Sequence, residues 1–136
     1  NQDFSQEYIQ SYYTFGVFVY KNLMLFNNSA EKLNHYIRHV LRLIMSLYKL
    51  YPKEKIYEKA MKDNINEMQN LVKETYINVD ELYEDAKQGD DNAYTSLVSI
   101  SETLYTMVRK CDVFVECIQL LNYVNSVLDK LDEKNY

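Results

Sequence analysis

The sequence predicts an all-α fold: an antiparallel bundle of four main helices, or five, with a short acidic helix in the connector. Two observations carry that expectation. Only two Gly and one Pro occur in 136 residues, too few of the residues that punctuate the turns of a many-stranded sheet. Apolar residues also recur at helical spacing through almost the whole chain. The clearest case is Leu33, Ile37, Val40, Ile44, Leu47 and Tyr51, whose alternating steps of four and three place them on one stripe.

Hydrophobic residues make up 47% of the chain and charged residues 26%, a globular composition that can build a core without metal or disulfide staples. A single domain over residues 1–136 is expected, and the initial Asn marks it as a piece excised from a longer protein.

The first helix is expected to be capped at Asp3, with Gln6 at its third helical position, and to run to Phe26. Phe4, Tyr8, Ile9, Tyr12, Phe15, Phe18, Val19, Leu23 and Phe26 form its predicted inner face. Tyr13, Val17, Tyr20 and Met24 extend the apolar surface well around it. A helix this apolar sits near the centre of a bundle or is covered by a partner. Gly16 in its interior costs about 1 kcal/mol against Ala and signals close approach by a neighbouring helix.

Asn28 or Ser29 caps the second helix, Ala30 to Tyr51. Pro52 then ends it and opens the third helix as a first-turn proline. The inner side of that third helix carries Ile56, Tyr57, Ala60, Met61, Ile65, Met68, Val72 and Tyr76. Residues 78–92 hold six acids and one Lys and are expected to form the short acidic helix, stopped at Gly89. Asp91 is the expected cap of the next helix. Its apolar period continues from Leu97 to Leu131, so a break is expected near Lys110, Cys111 and Asp112, with Asp112 capping a final helix.

The formal charge of −5 gives no general attraction to polyanions and argues against nucleic acid as a partner. The most apolar run, Tyr12 to Phe26, is too short for a membrane span and contains Lys21. With no secretory leader and with two cysteines six residues apart, the expectation is an intracellular, cytoplasmic protein. The chain is also tyrosine-rich, with 14 Tyr.

The only two histidines, His35 and His39, lie four residues apart and fall roughly 200–240° from the apolar stripe of the second helix, facing away from the core. A zinc site of the H-E-x-x-H type requires Glu where Tyr36 stands, and a di-iron bundle requires Glu where Lys32 and Tyr36 stand. No metal and no cofactor are therefore expected. His35, Arg38, His39, Arg42 and Lys49 instead compose a candidate patch for an anion, a partner or, more weakly, a membrane surface. The run "HVLRL", His39 to Leu43, is similar to the H-x-x-K-G signature of histidine phosphotransfer domains, with Arg42 for the Lys and Leu43 for the Gly. That resemblance implies a four-helix bundle in which His39 accepts phosphate and Arg42 steadies it.

No nucleophile, base and acid can be assembled from the sequence, and there is no Gly-rich phosphate loop. The leading expectation is a non-enzymatic adaptor or scaffold module that binds another protein, or a second copy of itself, through helical surface. Tyr13, Val17, Tyr20 and Met24 are the candidate apolar partner surface.

Overall fold

The computed structural model describes residues 2–22, 24–110 and 114–134, and side chains between 6 and 133. The fold is all-α: α1 (Gln2–Asn22), α2 (Ser29–Tyr36), a π-helical turn (Ile37–Leu41), α3 (Arg42–Leu50), α4 (Lys55–Lys87), α5 (Asp91–Lys110) and α6 (Val115–Lys134). α2, the π turn and α3 run on without interruption, so the described residues hold five continuous helices and no strand. No helix among them is long and apolar enough to cross a membrane.

Two compact units divide the chain, Asn1–Phe26 with Lys32–Asn70 and Asn27–Glu31 with Leu71–Tyr136. In the first, side-chain pairs set the helix directions. Tyr20 meets His35 while Gly16 meets His39, so α1 runs antiparallel to α2 and the π turn. Gln6 Nε2 donates to the Tyr57 hydroxyl at 2.7 Å, and Asn64 Nδ2 donates to the Tyr13 hydroxyl at 3.0 Å. Seven residues forward on α1 are thus seven forward on α4, and these two helices are parallel. The core here is Leu33, Tyr36, Ile37, Val40, Leu41, Ile44, Leu47, Tyr57 and Met68.

Five of the six stripe residues of the second helix, Leu33, Ile37, Val40, Ile44 and Leu47, are buried as their spacing predicts, while Tyr51, past the helix end, is half-buried, and Tyr36 and Leu41 are buried beside the stripe. The π turn lies at that addition. It closes with the Arg42 N–H bonded to the Ile37 carbonyl, five residues back, so one extra residue enters the turn, and the adjacent pairs Tyr36/Ile37 and Val40/Leu41 both face inward.

In the second unit, α5 and α6 pack antiparallel: Tyr94 donates to Asp132 at 2.7 Å, and seven residues on, Ser101 donates to Asn125 at 2.6 Å. Leu97, Ile100, Leu104, Leu120, Val124 and Val127 fill the space between them, with Leu71 and Val79 of α4 also buried. Thr75, the one buried polar residue among those described, donates to the Leu71 carbonyl at 2.8 Å. The Tyr123 hydroxyl donates to Asp80, and that carboxylate pushes the phenol up to about 12.

Several local expectations are corrected. The acidic segment is no separate helix, because α4 runs unbroken to Lys87; its acids occupy the solvated side of a helix whose buried side continues through Val72, Thr75 and Val79. Gly89, at φ +99°, then ends it with the Gly89 N–H on the Ala86 carbonyl and the Asp90 N–H on the Asp85 carbonyl. The cap of α5 is Asp90 rather than Asp91, accepting from the N–H groups of Asn92 at 2.9 Å and Ala93 at 3.2 Å. Pro52 lies in the turn closed by the Glu54 N–H on the Tyr51 carbonyl, ahead of α4 rather than in its first turn. Asn28 does cap α2, through Oδ1 and the Glu31 N–H at 2.9 Å. The caps proposed at Asp3 and Asp112 lie outside the described side chains, where α5 ends at Lys110 and α6 begins at Val115.

Candidate functional site

The first helix is not central. Of its described residues from 6 to 22 only Gly16 is buried, and Tyr8, Tyr12, Phe15 and Phe18 are 49%, 62%, 63% and 49% exposed. The side expected to face inward is therefore largely the outer one. Tyr13, Val17 and Tyr20, expected to form an open partner surface, are half-buried on the inner side, and only Met24 of that set is exposed. The reason lies in the composition of α1, which is apolar nearly all round and so gives no phase to a periodicity argument. Two features decide the rotation. A Cβ placed on Gly16 would lie 2.0 Å from the His39 carbonyl oxygen, so this glycine's side is where the two backbones touch. Asn64, in turn, ties the α1 side to its neighbours: Tyr36 donates to its Oδ1, and its Nδ2 donates to the Tyr13 hydroxyl and, at 2.8 Å, to the Ala60 carbonyl.

Burial pushes the Tyr36 phenol well above its ordinary range, with the charges of Glu67 and Asp63 adding to the effect. The hydroxyl consequently stays protonated and serves as a donor to Asn64.

His35 does not point to solvent. It is half-buried, stacked with Tyr20 at 6.4 Å between ring centroids and 10° between planes, with Phe26 at 5.6 Å and His39 at 4.9 Å. Its Nε2 is closed off without a hydrogen-bond partner among the described residues. Lys32 Nζ lies 5.7 Å from the centre of the Tyr20 ring on the same side. The 100° steps from Leu33 to His35 lie wholly within α2; what covers His35 on that side is Tyr20 of α1 together with Phe26. His39 and Arg38 are exposed as expected, Arg42 is half-buried and Lys49 is exposed. Lys49 lies ten residues beyond His39, about 15 Å along the axis, so the five do not make one compact patch.

Between α1 and the π turn runs an open groove of about 270 Å³, with Tyr12, Phe15 and Val19 on one wall and Arg38, His39 and Leu43 on the other. Desolvation there lowers the pKa of His39 below its ordinary 6.5, helped by His35 and Arg38. The run that resembles the phosphotransfer signature thus begins inside the π turn. Among the described residues no group of three or more His, Cys, Asp or Glu converges on one point.

No protein-family model, curated protein or solved structure matches this chain. The candidate surface stands on its own chemistry: an aromatic strip that begins with Tyr12 and Phe15 in the groove beside Gly16 and passes round to Phe18, on a helix whose inner side is tied down by Gly16 and Asn64.

Proposed function

We propose that this chain is a non-enzymatic interaction module and that the outer face of α1 is the strip a partner helix covers. The observation that carries the reading is the run of exposed aromatics Tyr8, Tyr12, Phe15 and Phe18. Aromatic side chains contribute most of the area and energy of protein interfaces at little cost in rotamer freedom. Tyr8, Tyr12, Phe15 and Phe18 lie at i, i+4, i+7 and i+10, the three-and-four steps of helix-to-helix recognition. Because Gly16 and Asn64 hold the inner side, the strip is presented without rearrangement of the helices beneath it.

The test is photo-crosslinking. A photoreactive amino acid at position 15 or 18 gives discrete covalent adducts with a protein, whereas the same group at exposed Lys73 on α4 gives none; mass spectrometry identifies the adduct. Equal labelling from all three positions, or none from 15 and 18, overturns the reading.

A further inference from the structure

Resting on that reading of α1, we infer that its partner is a second copy of this chain, paired antiparallel along α1 with Glu7 of each copy opposite Lys21 of the other. Tyr8, Ser11, Phe15, Phe18 and Asn22 follow one another at steps of three and four, the spacing of a coiled-coil seam. All five are exposed. Glu7, Thr14 and Lys21 are each one position before a seam residue, form a flanking column along the same edge, and are also exposed. The column is acidic at one end, neutral in the middle and basic at the other.

Antiparallel pairing about a two-fold axis near Thr14 makes that column complementary to itself. Phe15 then packs over Ser11 of the second copy, and Tyr8 over its Phe18. In the same register the flanks bring Glu7 to Lys21 twice, once on each side of the axis, while Thr14 meets its own counterpart. Small Ser11 opposite large Phe15 lets the helices interdigitate. A parallel pair offers no such match, since the flanking column then faces Tyr12, Val19 and Phe26 instead of charges. Among the described residues Glu7 and Lys21 take part in no ion pair within the chain, so neither has to give up a partner.

The area suits a weak dimer. An aromatic side chain buries 150–250 Å² in full, so Tyr8, Phe15 and Phe18, each near half exposure or above, supply roughly 300 Å² per copy. That total of about 600 Å², to which the flanking residues add, lies below the roughly 1,200 Å² at which stable specific interfaces begin and in the range of weak association. The expected state is a dimer that dissociates on dilution.

The experiment is sedimentation equilibrium of the whole chain over a hundredfold concentration range, with circular dichroism as a check on helicity. Wild type moves from monomer to dimer. Phe15→Glu shifts the equilibrium at least tenfold toward monomer. Glu7→Lys and Lys21→Glu, which set like charges against each other, each weaken the dimer several-fold, and the double swap Glu7→Lys/Lys21→Glu restores it. Added salt weakens wild type and the double swap alike, and strengthens the two single variants. A wild type that is monomeric throughout, or a double swap no better than either single change, overturns the inference. The crosslinking experiment separates this failure from that of the broader reading. Adducts from position 15 to a different protein, with no self-adduct, leave an interaction module whose partner is not itself; no adduct at all removes both.

Discussion

Replacing Gly16 with Ala sets two effects of opposite sign against each other. In an isolated helix the change is favourable by about 1 kcal/mol, because Ala gives up less backbone freedom than Gly. In this fold the new Cβ lies 2.0 Å from the carbonyl oxygen and 2.9 Å from the carbonyl carbon of His39. Ordinary contact begins at 3.4 Å, so one helical backbone has to retreat by about 1.4 Å. Neither obstacle is the movable end of a side chain. Overpacking of this kind costs about 1–3 kcal/mol and more where the obstacle is backbone, so the penalty exceeds the propensity gain and the expected net loss is about 2 kcal/mol. For a chain of this length that lowers the melting temperature by roughly 5–10 °C. Urea and thermal melts followed by circular dichroism measure it, with Gln10→Ala at an exposed position of the same helix as the comparison, where propensity acts alone and stability holds or rises slightly. If Gly16→Ala raised the melting temperature as Gln10→Ala does, the crossing of α1 over the π turn would be refuted, and with it the rotation that turns Phe15 and Phe18 outward.

Asn64→Leu deprives the Tyr36 hydroxyl of its acceptor in a buried place, and a loss of about 1–3 kcal/mol is expected in urea melts; adding Tyr36→Phe should recover part of it, since the stranded donor is then gone. His39 has a lowered pKa in the fold, so the native state favours its neutral form: its contribution is fully present above the ordinary 6.5 and is lost as pH falls through the depressed value. Urea midpoints at pH 7.5 and pH 5 should therefore fall further apart for wild type than for His39→Gln, and equal drops would contradict the assignment. Asp90→Ala removes the side-chain cap of α5 and should cost about 1 kcal/mol, whereas Asp91→Ala, at the position the sequence favoured, should cost less in the same melts.

Fold class was legible because it depends on signals that accumulate: scarce Gly and Pro, and a helical period held from Leu97 through Leu131. The stripe of the second helix was legible for the same reason. Single-residue decisions were not. Asp90 and Asp91 are equally good caps by type, and only the left-handed turn at Gly89 determines which carboxylate reaches the N–H groups of Asn92 and Ala93. The acidic stretch looked like a connector because charge was read as a break, although no breaking residue occurs between Val72 and Gly89. The π turn left no distinct trace, since adjacent buried pairs like its Val40/Leu41 also occur in plain α-helix at Leu71/Val72 and Leu120/Leu121.

The rotation of α1 differs from the expected one although the signal that sets it is present in the sequence. Gly16 predicted a close approach, and the approach is found; had it also been used to set the rotation of α1, its own side would have been the inner one. Tyr13 and Tyr20 lie within about 60° of that side, Val17 and Phe15 about 100° to either side of it, and Phe18 nearly opposite. The same geometry explains why so much aromatic surface stays in water. Turning Phe15 inward requires rotating α1 by about 100°, which would carry Gly16 off the His39 carbonyl and bring a residue with a side chain over it. The His39 carbonyl lies in the π turn and the glycine admits it, while the exposed strip runs from the rim of that crossing, at Tyr12 and Phe15, round to Phe18. Aromatic residues held outward by this backbone contact cannot relieve their exposure by rotating α1 within the monomer, and that is the physical ground for proposing a covering helix there, with the Glu7-to-Lys21 column as the ground for proposing a reversed second copy.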